Sequence, residues 1–408
     1  MAINVFVKNN NMNNRNNKQI GLVLYCDEDL ILHDGRFYAE NQERRAIFDR
    51  YLRVFDRIKL VQRCKEEKIL GNRRVLIDDP RIECYPLPYF QGPVQYAKDY
   101  FEVGRLLKHS VNDYDAAILR IPSTVSQRAY QYVIKARIPY AVEVVFDAQD
   151  GYLTANSFTE KILWRIIHKQ MIAICRKADG VSCVTESYLQ RNYYSVKDNH
   201  FVSHYSSLSL PLSFYSSPRT FIKKDHYIAA HVSNQIYWEG VKGHREVIMA
   251  IALLKDAGFD IHVRFAGLDY NNGIAKIKKY ASSLGVLDNI KFLGYVNKPE
   301  LSNLLEEADM FIFPTKAEGL PRVLIEAMAK GLPVVSTPAS GIPELINEHF
   351  LVKNNDVNIL SARIRELLEN PTIYEQESKN NYETSLKYEA SILEKRRDEF
   401  YKQLYDRC

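Results

Sequence analysis

Short apolar runs alternate with longer stretches of mixed polarity along most of the chain. In the first half these runs span residues 20–26, 56–64, 114–122, 139–145 and 179–185. In the second half they span residues 226–233, 260–267, 289–296, 309–315 and 332–337. Runs of this length predict buried strands, and the stretches between them predict helices. The alternation therefore predicts an α/β protein with two doubly wound parallel sheets.

The two series of strands are separated by SSLSLPLSFYSSPRT (206–220), a stretch rich in Ser and Pro. We predict a first domain over 19–205, a linker over 206–222, a second domain over 223–385 and a terminal helix within 386–408. The first 18 residues include NNNMNNRNN, which cannot build a core and predicts a disordered tail. Ligands of doubly wound sheets bind at the carboxyl ends of the strands, so we expect a site between the domains.

The stretch EGLPRVLIEAMAKG (318–331) places one carboxylate just before a predicted helix and a second within it. Free backbone N–H groups at the start of a helix bind phosphate. Glu318 and Glu326 could then accept hydrogen bonds from two separate polyols, which matches the layout of a sugar nucleotide. The alternative is that Glu318 is a charge at a helix end and Glu326 a surface residue.

The segment around this stretch resembles glycosyltransferase family 4, the retaining nucleotide-sugar transferases of the GT-B fold. The resemblance covers most of residues 226–347, including EGLPRVLIEAMAKGLPVVSTPASGIPELI and VKGHREVIMAIALLK. It implies two Rossmann-like domains that face a central cleft, with the C-terminal helix crossing back to the first domain. YDAAILRIPS and PYAVEVVFDAQD make the first half look like bacterial capsule and exopolysaccharide transferases.

The resemblance also implies roles for individual residues. Glu318 would contact hydroxyls of the donor sugar, Glu326 the ribose, and Lys242 the departing diphosphate. Asp147 would face the reacting sugar, although a cap of a helix or turn is the alternative for this residue. The remaining donor-binding positions that we predict are Gly319, Leu320, Pro321, Asn234, Gly267, Tyr295, Val296, Gly35 and Arg36. The sequence departs from the family pattern in HVSNQIYWEGVKG, where Asn234 and its neighbours replace an expected Arg.

Composition and charge indicate where in the cell the protein acts and what its surface could bind. The formal net charge is +5, but residues 44–74 carry eleven Lys or Arg against four acidic residues. This basic stretch could face an anionic membrane or a phosphorylated acceptor, or it could be the solvated face of an amphipathic helix. Six scattered Cys without CxxC spacing and no apolar run of membrane-spanning length favour a cytoplasmic protein, with peripheral membrane binding as an extension.

Other chemistries lack their sequence signatures. No HExxH, GxSxG, P-loop or GxGxxG motif is present, and no nucleic-acid-binding motif is recognisable. We expect no metal and no cofactor other than the nucleotide-sugar co-substrate. The expected function is transfer of a sugar from a nucleoside-diphosphate donor to a hydroxyl of a lipid-linked glycan, with retention of configuration. The alternatives are a nucleotide-sugar epimerase or hydrolase of the same fold, and a non-catalytic binding homologue.

Overall fold

The computed structural model describes residues 19–155, 157–353 and 356–408, so the predicted Asn-rich tail lies outside the described residues. The chain divides into two compact units. Unit 1 contains the described residues up to Leu119, Thr124–Tyr140 and Tyr401–Cys408. Unit 2 contains Arg120–Ser123 and Ala141–Phe400.

The strands within the described residues are β1 Gly21–His33, β2 Arg36–Ala39, β3 Arg57–Glu66, β4 Val75–Leu76, β5 Ile82–Leu87, β6 Ala116–Ile121, β7 Tyr140–Val144, β8 Gly180–Cys183, β9 Phe201–His204, β10 Tyr227–Ile236, β11 Ile261–Asp269, β12 Ile290–Gly294, β13 Met310–Phe313 and β14 Val334–Ser336. The helices are α1 Gln42–Leu52, α2 Gly92–Ser110, α3 Thr124–Ala136, α4 Ala148–Thr154, α5 Phe158–Arg176, α6 His244–Asp256, α7 Gly273–Ser283, α8 Lys298–Glu307, α9 Arg322–Ala329, α10 Val357–Glu369, α11 Pro371–Ser385 and α12 Ala390–Tyr405.

The centre of unit 1 is β1. It pairs in parallel with β3 and β6 and antiparallel with β2. Strand β3 continues the parallel arrangement to β5, and β2 pairs with β4. The apolar first half of β1 is fully buried, and α1 covers the sheet with its apolar side, including Phe48 and Tyr51. The ring of Tyr401 stacks on that of Tyr51 with centroids 4.8 Å apart.

The basic stretch of residues 44–74 runs through α1 and β3. Several of its cations pair with carboxylates of unit 1: Arg44 with Glu28 (2.5 Å), Lys59 with Glu83 (3.3 Å), Arg63 with Asp29 (3.1 Å) and Arg74 with Glu67 (2.6 Å). Glu28, Asp29 and Glu83 lie outside the stretch, so the local excess of positive charge is partly compensated by acidic residues from other segments. The membrane-facing interpretation of the stretch stays a prediction.

Unit 2 contains two sets of parallel strands. Strands β7, β8 and β9 pair in that order. The second set is a five-stranded parallel sheet in the order β12-β11-β10-β13-β14. Helix α6 buries Val247, Ile251 and Leu254 in the core of this sheet, because these residues recur at the spacing of one helix face. Near the end of the unit, Phe400 of α12 packs on the ring of Phe201 at 4.9 Å.

Within the described residues, no helix is both long enough and apolar enough to cross a membrane.

Candidate active site

The EGLPR segment joins strand β13 to helix α9. Strand β13 ends at Phe313, and α9 begins at Arg322, directly after Pro321. Proline suits this position because the first residues of a helix have no intrahelical partner for their N–H groups. The helix ends before Gly331, whose φ of 69° lies in the left-handed region that glycine adopts readily. The sequence prediction of a strand, loop and helix is confirmed for this segment.

Lys242 and Glu318 form an ion pair within unit 2. Lys242 lies in the loop between β10 and α6, and its side chain is 23% exposed, against 16% for Glu318. The two loops are joined by backbone contacts, since the N–H of Lys316 and the hydroxyl of Thr315 both donate to the carbonyl of Val241 (2.6 and 3.1 Å). The structure therefore brings together two of the three predicted catalytic residues.

Two histidines are buried close to this ion pair. The rings of His231 and His244 lie 4.8 Å apart, and the His231 Nδ1 is 2.8 Å from the carbonyl oxygen of Ile312. The pKa of His231 is lowered to about 4 and that of His244 to about 2, chiefly by burial, with a smaller contribution from the Lys242 charge. Both imidazoles are therefore neutral at physiological pH, so they add no positive charge beside Lys242.

Asp147, the third predicted catalytic residue, begins helix α4. Its carboxylate accepts a hydrogen bond from the backbone N–H of Gln149 (2.9 Å) and caps the helix. The Tyr193 hydroxyl donates to Asp147 Oδ1 (2.7 Å) and lies 2.9 Å from His168 Nδ1. Burial and the Asp147 charge raise the pKa of Tyr193 well above its usual value. Asp147 thus forms a cap, as in the alternative interpretation, and its catalytic role stays a prediction.

Ser340 links helix α4 to the loop that carries Glu318. Its hydroxyl donates to Asp150 Oδ2 on α4 and lies 3.4 Å from the backbone N–H of Glu318, which donates to it. Both Ser340 and Asp150 are buried. Burial raises the pKa of Asp150 to about 6, although the hydrogen bond from Ser340 opposes this shift, and the Asp147 charge adds to it. Helix α4, which begins at Asp147, is thus joined to the Glu318 loop through Asp150 and the Ser340 hydroxyl.

Gly319 packs directly against the end of strand β7. A Cβ atom at this position would collide with the carbonyl oxygen of Val145, two residues before Asp147. The Gly319 carbonyl also accepts a hydrogen bond from the N–H of Gly341 (3.1 Å). Only glycine permits this approach without a shift of the loop.

Glu344 makes a third connection in the same part of unit 2. Its carboxylate accepts hydrogen bonds from the backbone N–H groups of Glu186 (2.6 Å), Ser187 (2.9 Å) and Tyr188 (2.5 Å). Three successive amides that converge on one anion form a backbone anion-binding site. In this protein the carboxylate of Glu344 occupies that site.

The other predicted donor-binding residues of unit 2 lie on the loops and strand ends of the five-stranded sheet. Glu326 is half-buried on α9, and Leu320 and Pro321 are buried just before this helix. Asn234 is exposed on β10, and Gly267 lies in β11. Tyr295 and Val296 follow β12 directly, and Tyr295 is 53% exposed. Their roles in donor binding stay predictions.

Gly35 and Arg36 belong to unit 1. They lie at the turn between β1 and β2, where both are exposed to solvent. Their predicted contact with the diphosphate stays a prediction.

Within residues 19–155, 157–353 and 356–408, no group of three or more His, Cys, Asp or Glu side chains could hold a metal ion.

Sequence reasoning missed four residues of this region: Asp150, Tyr193, Ser340 and Glu344. Each of them has a hydrogen-bond partner at least 46 positions away along the chain. Two sequence signals could have drawn attention to them: Asp150 follows the predicted site residue Asp147 by one turn, and Ser340 and Glu344 lie within the quoted motif stretch of residues 318–346.

The second half of the chain is similar to a known protein family. Residues 217–384 match the family described as Glycosyl transferases group 1. Protein CapJ of Staphylococcus aureus is 26% identical over 345 residues, which cover 79% of this chain and 83% of CapJ. The amylovoran biosynthesis glycosyltransferase AmsK of Erwinia amylovora is 35% identical over 130 residues, which cover 30% of this chain and 31% of AmsK.

Solved structures with the same fold cover nearly the whole chain. Sucrose-phosphate synthase from Thermosynechococcus elongatus superposes with a TM-score of 0.69 at 16% identity, over 95% of this chain and 100% of that protein. HepE from Anabaena, solved with UDP-glucose, superposes with a TM-score of 0.62 at 15% identity, over 93% of this chain and 98% of HepE. The predicted GT-B fold is thereby confirmed. The chain is a glycosyltransferase whose residues 217–384 form a glycosyl transferases group 1 domain.

Proposed function

We propose that this enzyme transfers a sugar from a nucleoside-diphosphate donor to a hydroxyl of a glycan in bacterial polysaccharide biosynthesis, with retention of configuration. The observation that carries the proposal is the Lys242–Glu318 ion pair at the loop before helix α9. A cation for the diphosphate and a carboxylate for the sugar hydroxyls lie side by side there. The name of AmsK, an amylovoran biosynthesis glycosyltransferase, supports a polysaccharide product, and the UDP-glucose bound to HepE supports a nucleotide-sugar donor.

In the proposed reaction, Lys242 stabilises the negative charge that develops on the departing diphosphate. A fixed cation in a partly buried site acts more strongly than one in water, because fewer water molecules screen it. Glu318 holds the Lys242 ammonium group in place through their ion pair. When the donor binds, the diphosphate competes for Lys242, and Glu318 can accept hydrogen bonds from the sugar. Glu326 on α9 would accept hydrogen bonds from the ribose.

Retention requires that the acceptor attack from the face that the diphosphate leaves. We propose that the departing diphosphate itself takes the acceptor proton, so that no protein carboxylate forms an ester with the sugar. Asp147 then acts by fixing the start of α4 beside the Glu318 loop. The proposed acceptor is a lipid-linked glycan at the cytoplasmic face of the membrane.

The donor is tested first by thermal denaturation with UDP, GDP and ADP. We expect one of these nucleotides to raise the melting temperature of the wild type and to do so less in Lys242→Ala, which lacks the proposed diphosphate cation. Lys224→Ala is a matched control, because Lys224 pairs with Asp309 elsewhere in unit 2. Equal shifts in wild type and Lys242→Ala would contradict the role of Lys242.

The reaction type is tested with a donor radiolabelled in the sugar and an extract of lipid-linked glycans. Label that enters the glycan, with the anomeric configuration of the donor, supports the proposed function. Label that appears as a free sugar or as an isomerised nucleotide sugar would instead identify a hydrolase or an epimerase. If the chain binds a nucleotide but does not turn over the corresponding sugar donor, it is a binding homologue.

A further inference from the structure

Helix α5 presents an apolar strip to solvent. Phe158, Ile162 and Ile166 are 77%, 44% and 47% exposed, and they recur every four residues. Residues four apart lie on the same face of a helix, so the three side chains form one continuous strip. Leu153, at the end of the preceding helix α4, is 74% exposed. Exposed apolar side chains are ordinary when scattered, but a row of them along one helix marks an interaction surface.

A basic strip runs beside the apolar one on the same helix. Lys161, Arg165 and Lys169 also recur every four residues, each three positions after a member of the apolar strip. Arg165 lies over the ring of Tyr152 at 4.9 Å and donates to its hydroxyl (3.1 Å). Within the described residues, none of the three cations pairs with a carboxylate. This contrasts with the cations of residues 44–74, several of which are paired.

The opposite side of α5 is anchored in unit 2. Met171, Ile174 and Cys175 are buried there, and the first half packs on α4 through the Trp164 ring. The strip is therefore carried on a fixed helix that packs against α4, the helix that begins at Asp147.

We propose that the exposed face of α5 docks this enzyme on an anionic lipid surface. The apolar strip enters the boundary between headgroups and acyl chains, and the basic strip binds lipid phosphates. The helix spans 19 residues with four basic residues and one acidic residue, so it lies along the surface. Docking of a second copy of this chain is disfavoured, because charged residues are depleted from the cores of protein interfaces. The inference deepens the proposed function, since a lipid-linked acceptor requires the active site to approach a bilayer.

Binding is measured without donor or acceptor, by co-sedimentation with vesicles of equal parts phosphatidylglycerol and phosphatidylcholine. Vesicles of phosphatidylcholine alone serve as the uncharged comparison. Each cation near an anionic surface strengthens binding by about fivefold at low salt. We therefore expect the triple variant Lys161→Gln/Arg165→Gln/Lys169→Gln to bind anionic vesicles about a hundredfold more weakly than the wild type.

The apolar strip is tested with Ile162→Ser/Ile166→Ser. We expect at least a tenfold loss of binding to the same vesicles. The matched control is Ile69→Ser/Val202→Ser, which removes exposed apolar side chains (88% and 62% exposed) outside α5 and should bind like the wild type. Unchanged melting temperatures with the donor nucleotide show that the variants are folded.

Several outcomes would overturn the inference. The first is that the wild type does not bind anionic vesicles. The second is that the serine variants bind these vesicles as well as the wild type does. The third is that the α5 variants lose dimerisation in analytical ultracentrifugation but keep vesicle binding. Loss of vesicle binding only in Arg50→Glu/Arg53→Glu/Arg57→Glu would assign docking to residues 44–74 and also overturn it. A failure of docking can be told apart from a failure of the proposed function. Hydrolysis of the labelled donor, or transfer of its sugar to a water-soluble acceptor, can be measured without vesicles.

Discussion

Replacing Glu318 by glutamine should separate donor binding from turnover. The Glu318 carboxylate pairs with Lys242, so the donor diphosphate must compete for the same ammonium group. Hydrogen bonds to charged groups contribute about 1.5–3 kcal/mol, and Lys242 can contact both partners when the donor binds. If half of this energy is released by Glu318→Gln, nucleoside diphosphate binds about fivefold more tightly. Turnover should fall, because the sugar hydroxyls lose a charged acceptor.

The assay is isothermal titration calorimetry with the nucleoside diphosphate that stabilises the wild type, followed by kcat and KM with the intact donor. Glu307→Gln is the matched control, because Glu307 forms a comparable ion pair with Arg264 in unit 2. It should leave both affinity and turnover unchanged. Weaker binding of the diphosphate to Glu318→Gln would refute the competition argument. Full turnover would return Glu318 to the role of a charge at a helix end.

Three further predictions concern the same region. Glu326→Ala should weaken nucleotide binding by about 1.5–3 kcal/mol in calorimetry, and unchanged affinity would remove the ribose role. Because burial raises the pKa of Asp150 to about 6, the folded chain favours its protonated form and loses stability as pH rises through this value. Asp150→Asn should therefore raise the urea midpoint of unfolding when it is measured at a pH above this value, but not at a pH well below it. An equal change at both pH values would contradict this explanation. Gly319→Ala should lower turnover, because the added methyl group collides with the Val145 carbonyl. Gly71→Ala is the control, since its methyl group meets only the Arg74 side chain. Equal activity of the two variants would contradict the close packing at Gly319.

The strands of the second half could be predicted from the sequence. All five predicted strands exist there. Buried parallel strands form continuous apolar runs, which makes them easy to recognise. Strands β2, β4, β5 and β9 were missed. Strands β2, β4 and β9 have four residues or fewer, and β5 contains Pro86, which argues against a strand.

The candidate site was predictable only where a motif carried it. Lys242 and Glu318 belong to recognisable stretches, and they form a contact. Ser340 and Asp150 were missed because their hydrogen bond joins segments 190 positions apart, and both residue types are common. A charge count along residues 44–74 could not show these ion pairs either, since it omits distant carboxylates such as Glu83.

The contact of Glu344 with the amides of residues 186–188 has a consequence for local opening of the chain. Amide hydrogens exchange with solvent only when their hydrogen bonds break, and these three amides share one carboxylate as acceptor. The N–H groups of Glu186, Ser187 and Tyr188 should therefore become exposed to deuterium together, when the turn at Ile342–Glu344 moves away. Two segments more than 150 positions apart in sequence would then open and close as one cooperative unit.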